Sequence, residues 1–439
     1  MKIGELELDI EGYQLRRSGQ PLRIERIPME LLLLLAGSRG KLVTREQVVS
    51  YIWGASHYID SESAINTAIR KLRKVLGDDV KNPRFIETLP AKGYRLIAEK
   101  PEKAEPTGKD AQDSNEAHKL YLRGRHHWNK KTGDGYARAL EFFQRSIDAD
   151  AAYPAPYVGL SLCYIMLGIH GLRSAIEVYP RARAAALAAL EIDPEMSEAY
   201  VALADISKGY DWDWAAAETH YRKALEFNPD DSVGHQWYAG LLSTVARHEE
   251  AVTEAEIARS LDPISVGTSG FVGWTLYRAR RYADAQREAQ ETMEFSRGAP
   301  IAHWFLAHVY LELGDHDAAV TALLPTIEVT NESGMYVGLL AYAQARAGKR
   351  SDAENLLQAL EKRARNAYIS PFDLATAHLG LGDFSSVFDC LHQAYAGRVM
   401  RLTELNIALF DELRLRPEFA SLLSAAPAFV LPEINALQP

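Results

Sequence analysis

The sequence predicts a multidomain chain of two unlike parts: an N-terminal α+β domain, then an all-α superhelical solenoid of repeated helix pairs. Three observations predict it. Residues 1–97 mix short stretches of period-two alternation with three helical stretches, whereas from about residue 115 the apolar spacing is helical throughout. Pro194, Pro229 and Pro263 stand 35 and 34 residues apart, each after a similar tail: Ala-Leu-Glu-Ile-Asp, Ala-Leu-Glu-Phe-Asn and Ala-Arg-Ser-Leu-Asp. Charge divides in the same place. Of 49 basic and 59 acidic residues, 16 and 12 fall in 1–97, leaving 33 and 47 for the rest, so the head carries +4 and the body −14. A basic head and an acidic body imply different partners.

In the head, Leu6, Leu8 and Ile10 share one face of a first strand. Tyr13 to Arg16 and Leu22 to Glu25 continue a small antiparallel sheet around a Ser18-Gly19 turn. Pro28 opens a Leu-rich helix to Ala36, broken by Gly37 to Gly40. Thr44 and Gln47 fit a capping box at the start of a second helix that runs to about Trp53. The third helix spans 61–76. Ile65, Ile69, Leu72 and Leu76 form its greasy back, and Arg70, Lys71, Arg73 and Lys74 crowd the rest. Ser61 and Glu62 suit its N-terminus, and Gly77 ends it. Arg84 to Ile97 reads as a hairpin around Pro90 to Gly93, carrying Lys92 and Arg95. A cationic helix alone is more often a solvated face than a ligand surface. Three helices followed by a basic hairpin suit DNA better: one helix fills the major groove and the hairpin reaches the adjacent backbone or minor groove.

These residues together resemble the winged helix-turn-helix domain of the OmpR/PhoB class of bacterial transcription regulators. The resemblance rests on Thr44-Arg45-Glu46-Gln47, Trp53-Gly54, Ile69-x-x-Leu72-Arg73-Lys74-x-Leu76-Gly77, Ile86-Glu87-Thr88 and Gly93-Tyr94-Arg95. It implies a third helix that reads DNA, with base contacts from Asn66, Thr67 and Arg70. Lys71, Arg73 and Lys74 become phosphate contacts, and Thr88, Lys92 and Arg95 the wing. Asn suits adenine and Arg suits guanine by bidentate pairing. Two departures are visible. Pro90-Ala91-Lys92 stands where many phosphorylation-driven members carry Arg-Gly, and with the unit starting at the first residues no receiver domain, and no control by aspartyl phosphorylation in cis, is expected.

Residues 99–115 are polar, mixed in charge and contain Pro101 and Pro106, which predicts a flexible linker after a head at 1–98. From 116 to 426 the repeats resemble the tetratricopeptide repeat (TPR). Tyr238-Ala239, Ala251, Ala255 and Ala258 lie at that family's spacing before Pro263, and about eight helical pairs are expected, with a capping segment containing Leu409-Phe410 and Pro417. Residues 427–439 read as a loose tail. Such an array implies a protein or peptide partner in its groove. Its aromatics, Trp274, Trp304 and Tyr336 among them, read first as interhelical packing.

No catalytic site is expected. The chain has no phosphate loop, dinucleotide fingerprint or His-Glu-x-x-His, and Gly267 to Gly273 follows no strand. No cofactor or metal is expected. Cys163 and Cys390 read as free thiols. No apolar run approaches the ~20 residues of a membrane helix, so the expected location is cytoplasmic, with no membrane partner. The sequence thus predicts a sequence-specific DNA-binding transcriptional regulator whose TPR-like body binds a protein partner or effector. Double-stranded DNA is the first partner, with RNA polymerase and a second copy of the chain as further candidates. The alternatives are an interaction scaffold with a nonspecific or vestigial DNA-binding domain, and a sensor of a small ligand.

Overall fold

The computed structural model describes residues 1–3, 5–9, 14–17, 19–22, 24–38, 40–52, 61–79, 83–89, 92–97, 109–130, 132–263, 265–296 and 298–424. A mixed α+β region is followed by a long all-α repeat array. The chain forms two compact units. The first is Met1–Cys163 with Ala184–Ala199 and Ala224–Ser232; the second is Tyr164–Arg183 with Tyr200–Lys223 and Val233–Pro439.

The first unit opens with strands β1 (Lys2–Ile3), β2 (Leu6–Asp9), β3 (Gln14–Arg17) and β4 (Gln20–Leu22), joined in that order as an antiparallel sheet. Alternation sends Ile3, Leu6, Leu8 and Leu15 into the core. Helix α1 (Arg26–Gly37) starts two residues ahead of Pro28, and its Met29, Leu31, Leu32, Leu33 and Leu35 are buried. A two-residue strand β5 (Val43–Thr44), not foreseen, leads into α2 (Arg45–Ile52). The capping box at α2 is closed both ways. The Gln47 amide donates to Thr44 Oγ1 at 3.2 Å, and the Thr44 amide donates to Gln47 Oε1 at 2.9 Å. Helix α3 (Ser61–Leu76) buries Ile65, Ile69, Leu72 and Leu76 and ends at Gly77 with φ +70°. The Ser61 and Glu62 side chains and Trp53-Gly54 lie outside the described residues.

Strands β6 (Ile86–Leu89) and β7 (Gly93–Leu96) form the expected hairpin, and β7 also pairs with β5, giving the order β5-β7-β6. That pairing explains Gly93. A Cβ there would sit 2.0 Å from the Val43 carbonyl oxygen. Helix α4 (Lys109–Trp128) begins ahead of the boundary expected at 116, so part of the expected linker is helical; residues 98–108 lie outside the described residues. Helix α5 (Gly133–Ala149) packs antiparallel to α4 as the first pair.

Among the described residues the chain continues as α6 (Ala155–Ile169) and α7 (Ala175–Ile192), α8 (Ser197–Ile206) and α9 (Trp214–Phe227), and α10 (Ser232–Thr244) and α11 (His248–Leu261). Next come α12 (Val266–Arg278) with α13 (Tyr282–Ser296), α14 (Pro300–Glu312) with α15 (His316–Val329), α16 (Gly334–Arg346) with α17 (Arg350–Ala364), and α18 (Pro371–Leu381) with α19 (Phe384–Ala396). Pro194, Pro229 and Pro263 each follow the end of a second helix. In the second unit the first helices approach closely. A Cβ on Gly338 would lie 2.5 Å from the Asp373 carbonyl oxygen, and one on Gly380 would lie 2.5 Å from Tyr342 Cα. The glycines of α12 serve the same purpose: Gly270 faces the Phe305 ring and Gly273 faces the backbone of Ala285 and Ala289.

After α19 the second unit is closed by its own C-terminal segment, which includes the 3-10 turns Met400–Glu404 and Ala408–Phe410. Tyr395 stacks on Trp212, and Arg398 donates to the Tyr210 carbonyl at 2.9 Å beside a π-helical turn, Ser207–Asp211. Arg401 pairs with Asp373 and lies over the Phe372 ring. Arg278 donates to Asn406 Oδ1 at 2.7 Å and to the Thr403 carbonyl at 3.2 Å. Arg280 grips Asp411 with two hydrogen bonds of 2.6 and 2.8 Å. Val399, Leu402, Leu405, Ile407, Leu409 and Phe410 are all buried. At roughly 1.5–3 kcal/mol for each large apolar side chain fully buried, this segment is core. Short helices α20 (Asp411–Arg414) and α21 (Pro417–Ser424) follow. The tail expected at 427–439 lies outside the described residues. Trp274, Trp304 and Tyr336 are buried, as packing predicts.

Candidate nucleic-acid interface

The amphipathic spacing of α3 decides which side chains face outward. Ile65, Ile69, Leu72 and Leu76 turn toward α1 and the sheets, which leaves Asn66, Arg70 and Lys74 exposed at intervals of one turn. Thr67 and Lys71 flank that strip and are half-buried. Lys71 Nζ lies 2.6 Å from Glu25 Oε2, so this cation is already paired. Lys92 and Arg95 are exposed on the wing, and Arg95 holds Glu87 across the hairpin.

Arg73 departs from the expectation of a phosphate contact. It is 7% exposed, and its Nη2 donates to the Ile86 carbonyl at 2.8 Å and to Thr88 Oγ1 at 2.9 Å. Its Nε lies 3.5 Å from Asp78 Oδ2. Asp78 in turn accepts from the backbone amides of Arg84, Phe85 and Ile86 at 2.6, 3.1 and 3.0 Å. Arg73 and Asp78 therefore bolt the end of α3 to strand β6, and Thr88 is an acceptor in that bolt. A guanidinium so enclosed is not presented to a phosphate.

Asn66 belongs to a small polar group that sequence reasoning did not assemble. Its Oδ1 accepts from the Tyr94 hydroxyl at 3.1 Å and faces the Arg45 guanidinium at 3.5 Å. Arg45 also lies over the Tyr94 ring, 5.3 Å from its centroid. Arginine only donates, so Oδ1 must point at it and the Asn66 amide nitrogen points away. Arg45 sits at the start of α2, and the resemblance had flagged it only as part of a motif. Its position beside Asn66 makes it a further cation of the same surface. The arrangement offers fixed donors and cations on an exposed helix face with a flanking hairpin. It offers no activated nucleophile, and no group of three or more His, Cys, Asp or Glu residues among the described residues is placed to hold a metal.

Residues 19–96 match the family described as "Transcriptional regulatory protein, C terminal". The N-terminal domain matches the OmpR/PhoB winged-helix family. The uncharacterized transcriptional regulatory protein YcbL of Bacillus subtilis is 33% identical to this winged-helix region over 96 residues, 22% of this chain and 42% of YcbL. Transcriptional regulatory protein CseB of Streptomyces avermitilis is 32% identical over 98 residues, covering 22% and 39%. DNA-binding response regulator MtrA of Mycolicibacterium smegmatis is 26% identical over 95 residues, covering 22% and 41%. The chain thus spans about two fifths of the length of these relatives. For the fold as a whole, human IFIT1, solved as a dimer with m7Gppp-AAAA, gives a TM-score of 0.51 at 14% identity over 92% of this chain and 91% of that one. A monomeric IFIT1 mutant with Gppp-AAAA gives 0.52 at 13% identity, covering 89% and 96%. At such identity the likeness shows fold alone. No helix among the described residues is long and apolar enough to cross a membrane.

Proposed function

We propose that this chain is a sequence-specific, DNA-binding transcriptional regulator whose winged helix reads double-stranded DNA and whose TPR-like array receives a protein partner or effector. The observation that carries the reading is the exposed strip Asn66, Arg70 and Lys74 on a helix whose opposite face is fully buried. Arg70 reads a guanine edge. Asn66 reads an adenine edge once it leaves the Tyr94 hydroxyl, because bidentate pairing needs both ends of the amide. Thr67 supports these contacts. Lys74, Arg45 and Lys92 hold phosphates and set the register. Lys71 and Arg95 join them by exchanging Glu25 and Glu87 for phosphate. RNA polymerase and a second copy of the chain remain proposed partners of this reading.

The test is binding of purified full-length chain to promoter fragments across a salt series, with and without a large excess of random competitor. The reading expects a steep fall of affinity with salt and a specific-to-nonspecific ratio of about 10³ or more. Salt dependence without discrimination assigns the head to nonspecific DNA binding. No binding at low salt removes DNA from the account.

A further inference from the structure

The sequence suggests a head hung on a tether. Within the first unit, helix α4 instead packs on the supporting helices of the winged domain. Leu122 enters the head's apolar core, with its Cδ1 3.6 Å from where a Cβ on Gly37 would stand. Arg125 Nη2 lies 2.8 Å from Glu30 Oε1, and that carboxylate is 6% exposed. The Tyr51 hydroxyl donates to the other oxygen of Glu30 at 3.3 Å. Asn129 Nδ2 donates to the Tyr51 carbonyl at 2.7 Å. Arg125 Nη1 also donates to the Tyr121 hydroxyl at 3.0 Å. The contact joins α1 and α2 to the first pair of the array and leaves Asn66, Arg70 and Lys74 exposed.

We propose that the Glu30–Arg125 contact, with Tyr51, Asn129 and Leu122, is a clamp through which the helical array controls the DNA-binding head. It is small, half polar and built around one enclosed ion pair. Opening it takes the Arg125 cation away from a carboxylate that is 6% exposed, which is costly. While the clamp is seated, the head moves with the helices of the first unit, and the acidic charge of those helices travels with it. Within that unit Ala184–Ala199 and Ala224–Ser232 carry seven acidic and no basic side chains, and repulsion of phosphate by charge within about a Debye length, roughly 10 Å at 0.1 M salt, lowers affinity. Opening the clamp frees the head and raises its affinity. A partner that seats or releases α4 thereby sets DNA occupancy. This inference rests on the reading of the head as a DNA binder, but its first measurement needs no DNA.

A fluorescent dye is placed on full-length Glu7→Cys, an exposed position of β2. Anisotropy decay then gives the rotation of the head. Starting from that chain, Arg125→Glu is compared with Arg125→Glu combined with Glu30→Arg. The clamp expects the head to tumble with the first unit in the parent, to move independently in Arg125→Glu, and to be slowed again in the charge swap. Affinity for one DNA duplex, random sequence at low salt if no motif is known, should rise at least about fivefold in Arg125→Glu, the low end of ordinary coupling between sites. A head that rotates independently in the parent, or stays attached in Arg125→Glu, overturns the clamp. A freed head with unchanged affinity overturns control while leaving DNA binding in place. If Arg125→Glu unfolds the first helix pair, Asn129→Ala and Leu122→Ala carry the same comparison, and unfolding in all three makes the contact plain core and ends the proposal. Failure of DNA binding in every sample, with tumbling as expected, counts against the proposed function and not against the clamp.

Discussion

The winged head and the C-terminal part of the array use arginine in opposite ways. In the head, Arg70 projects into solvent from the middle of α3, one turn from Asn66 and one turn from Lys74. In the second unit, Arg278 and Arg401 are enclosed, and each holds the chain's own C-terminal segment across helices that lie far away in sequence. Arg73 shows both habits in one helix: three residues beyond Arg70, it is interior. Counting cations therefore says little about ligands. What decides is whether the guanidinium has a carboxylate or carbonyl of its own already beside it.

The largest expected effect lies on the enclosed side of this comparison. Arg401→Ala strands Asp373, whose carboxyl is 2% exposed. Breaking such a pair should cost about 3–5 kcal/mol, read as a lower midpoint in urea unfolding of the full chain. The loss should be greater at pH 8 than at pH 5. Burial already pushes the Asp373 carboxyl up to about 6 with Arg401 in place. A folded-state value above the unfolded one means the fold holds the proton more tightly, so stability falls as pH rises from the ordinary carboxylate range through 6.

Next comes the contrast within α3. Arg73→Ala removes hydrogen bonds to Ile86 and Thr88 and leaves Asp78 without its cation, so it should destabilise the head by about 1–3 kcal/mol. Arg70→Ala should change stability by no more than about 0.5 kcal/mol. It should instead weaken DNA binding by about 1–3 kcal/mol and relax specificity at one base pair. If Arg70→Ala unfolds the head, or Arg73→Ala loses only DNA binding, the assignment of the two side chains is reversed. Lys74→Ala is milder. It should weaken binding evenly across sequences and reduce the salt slope by about one.

The smallest effect concerns pH alone. Burial raises the carboxyls of Glu198 and Glu312 to about 7, with Asp231 and Asp411 adding repulsion respectively. Both shifts make stability decline as pH rises from about 4.5 to 7. Burial lowers the imidazoles of His118 to about 4 and His308 to about 3, which makes stability decline as pH falls below about 6.5. Glu312→Gln should flatten the alkaline side of a stability–pH curve and leave the acid side alone.

Much of the head was legible because its signals are local. The Thr44–Gln47 box, the Gly77 stop, the buried stripe of α3 and the wing hairpin each need only a few neighbouring residues. In the array, a 34- to 35-residue recurrence of proline marks repeats for the same reason. Arg73 was legible in part: it lies four residues after Ile69 and three before Leu76, on the buried side of the wheel, but its charge outweighed its spacing. The two-residue strand β5 is too short for a pattern, and it exists because β7 offers an edge. The Glu30–Arg125 pair spans 95 residues and the Arg280–Asp411 pair 131, and nothing local announces either. The linker reading failed at Lys109 for a related reason: Lys-Asp-Ala-Gln-Asp-Ser-Asn is polar but contains no residue that stops a helix, and α4 continues through it.

The central claim is that the exposed strip of α3 reads DNA sequence. The most direct measurement is selection of genome fragments by purified full-length chain, run beside an Arg70→Ala, Lys74→Ala double variant whose fold is checked by circular dichroism. The account expects one short motif to be enriched by the parent chain and lost in the variant. A motif enriched equally by both would contradict it.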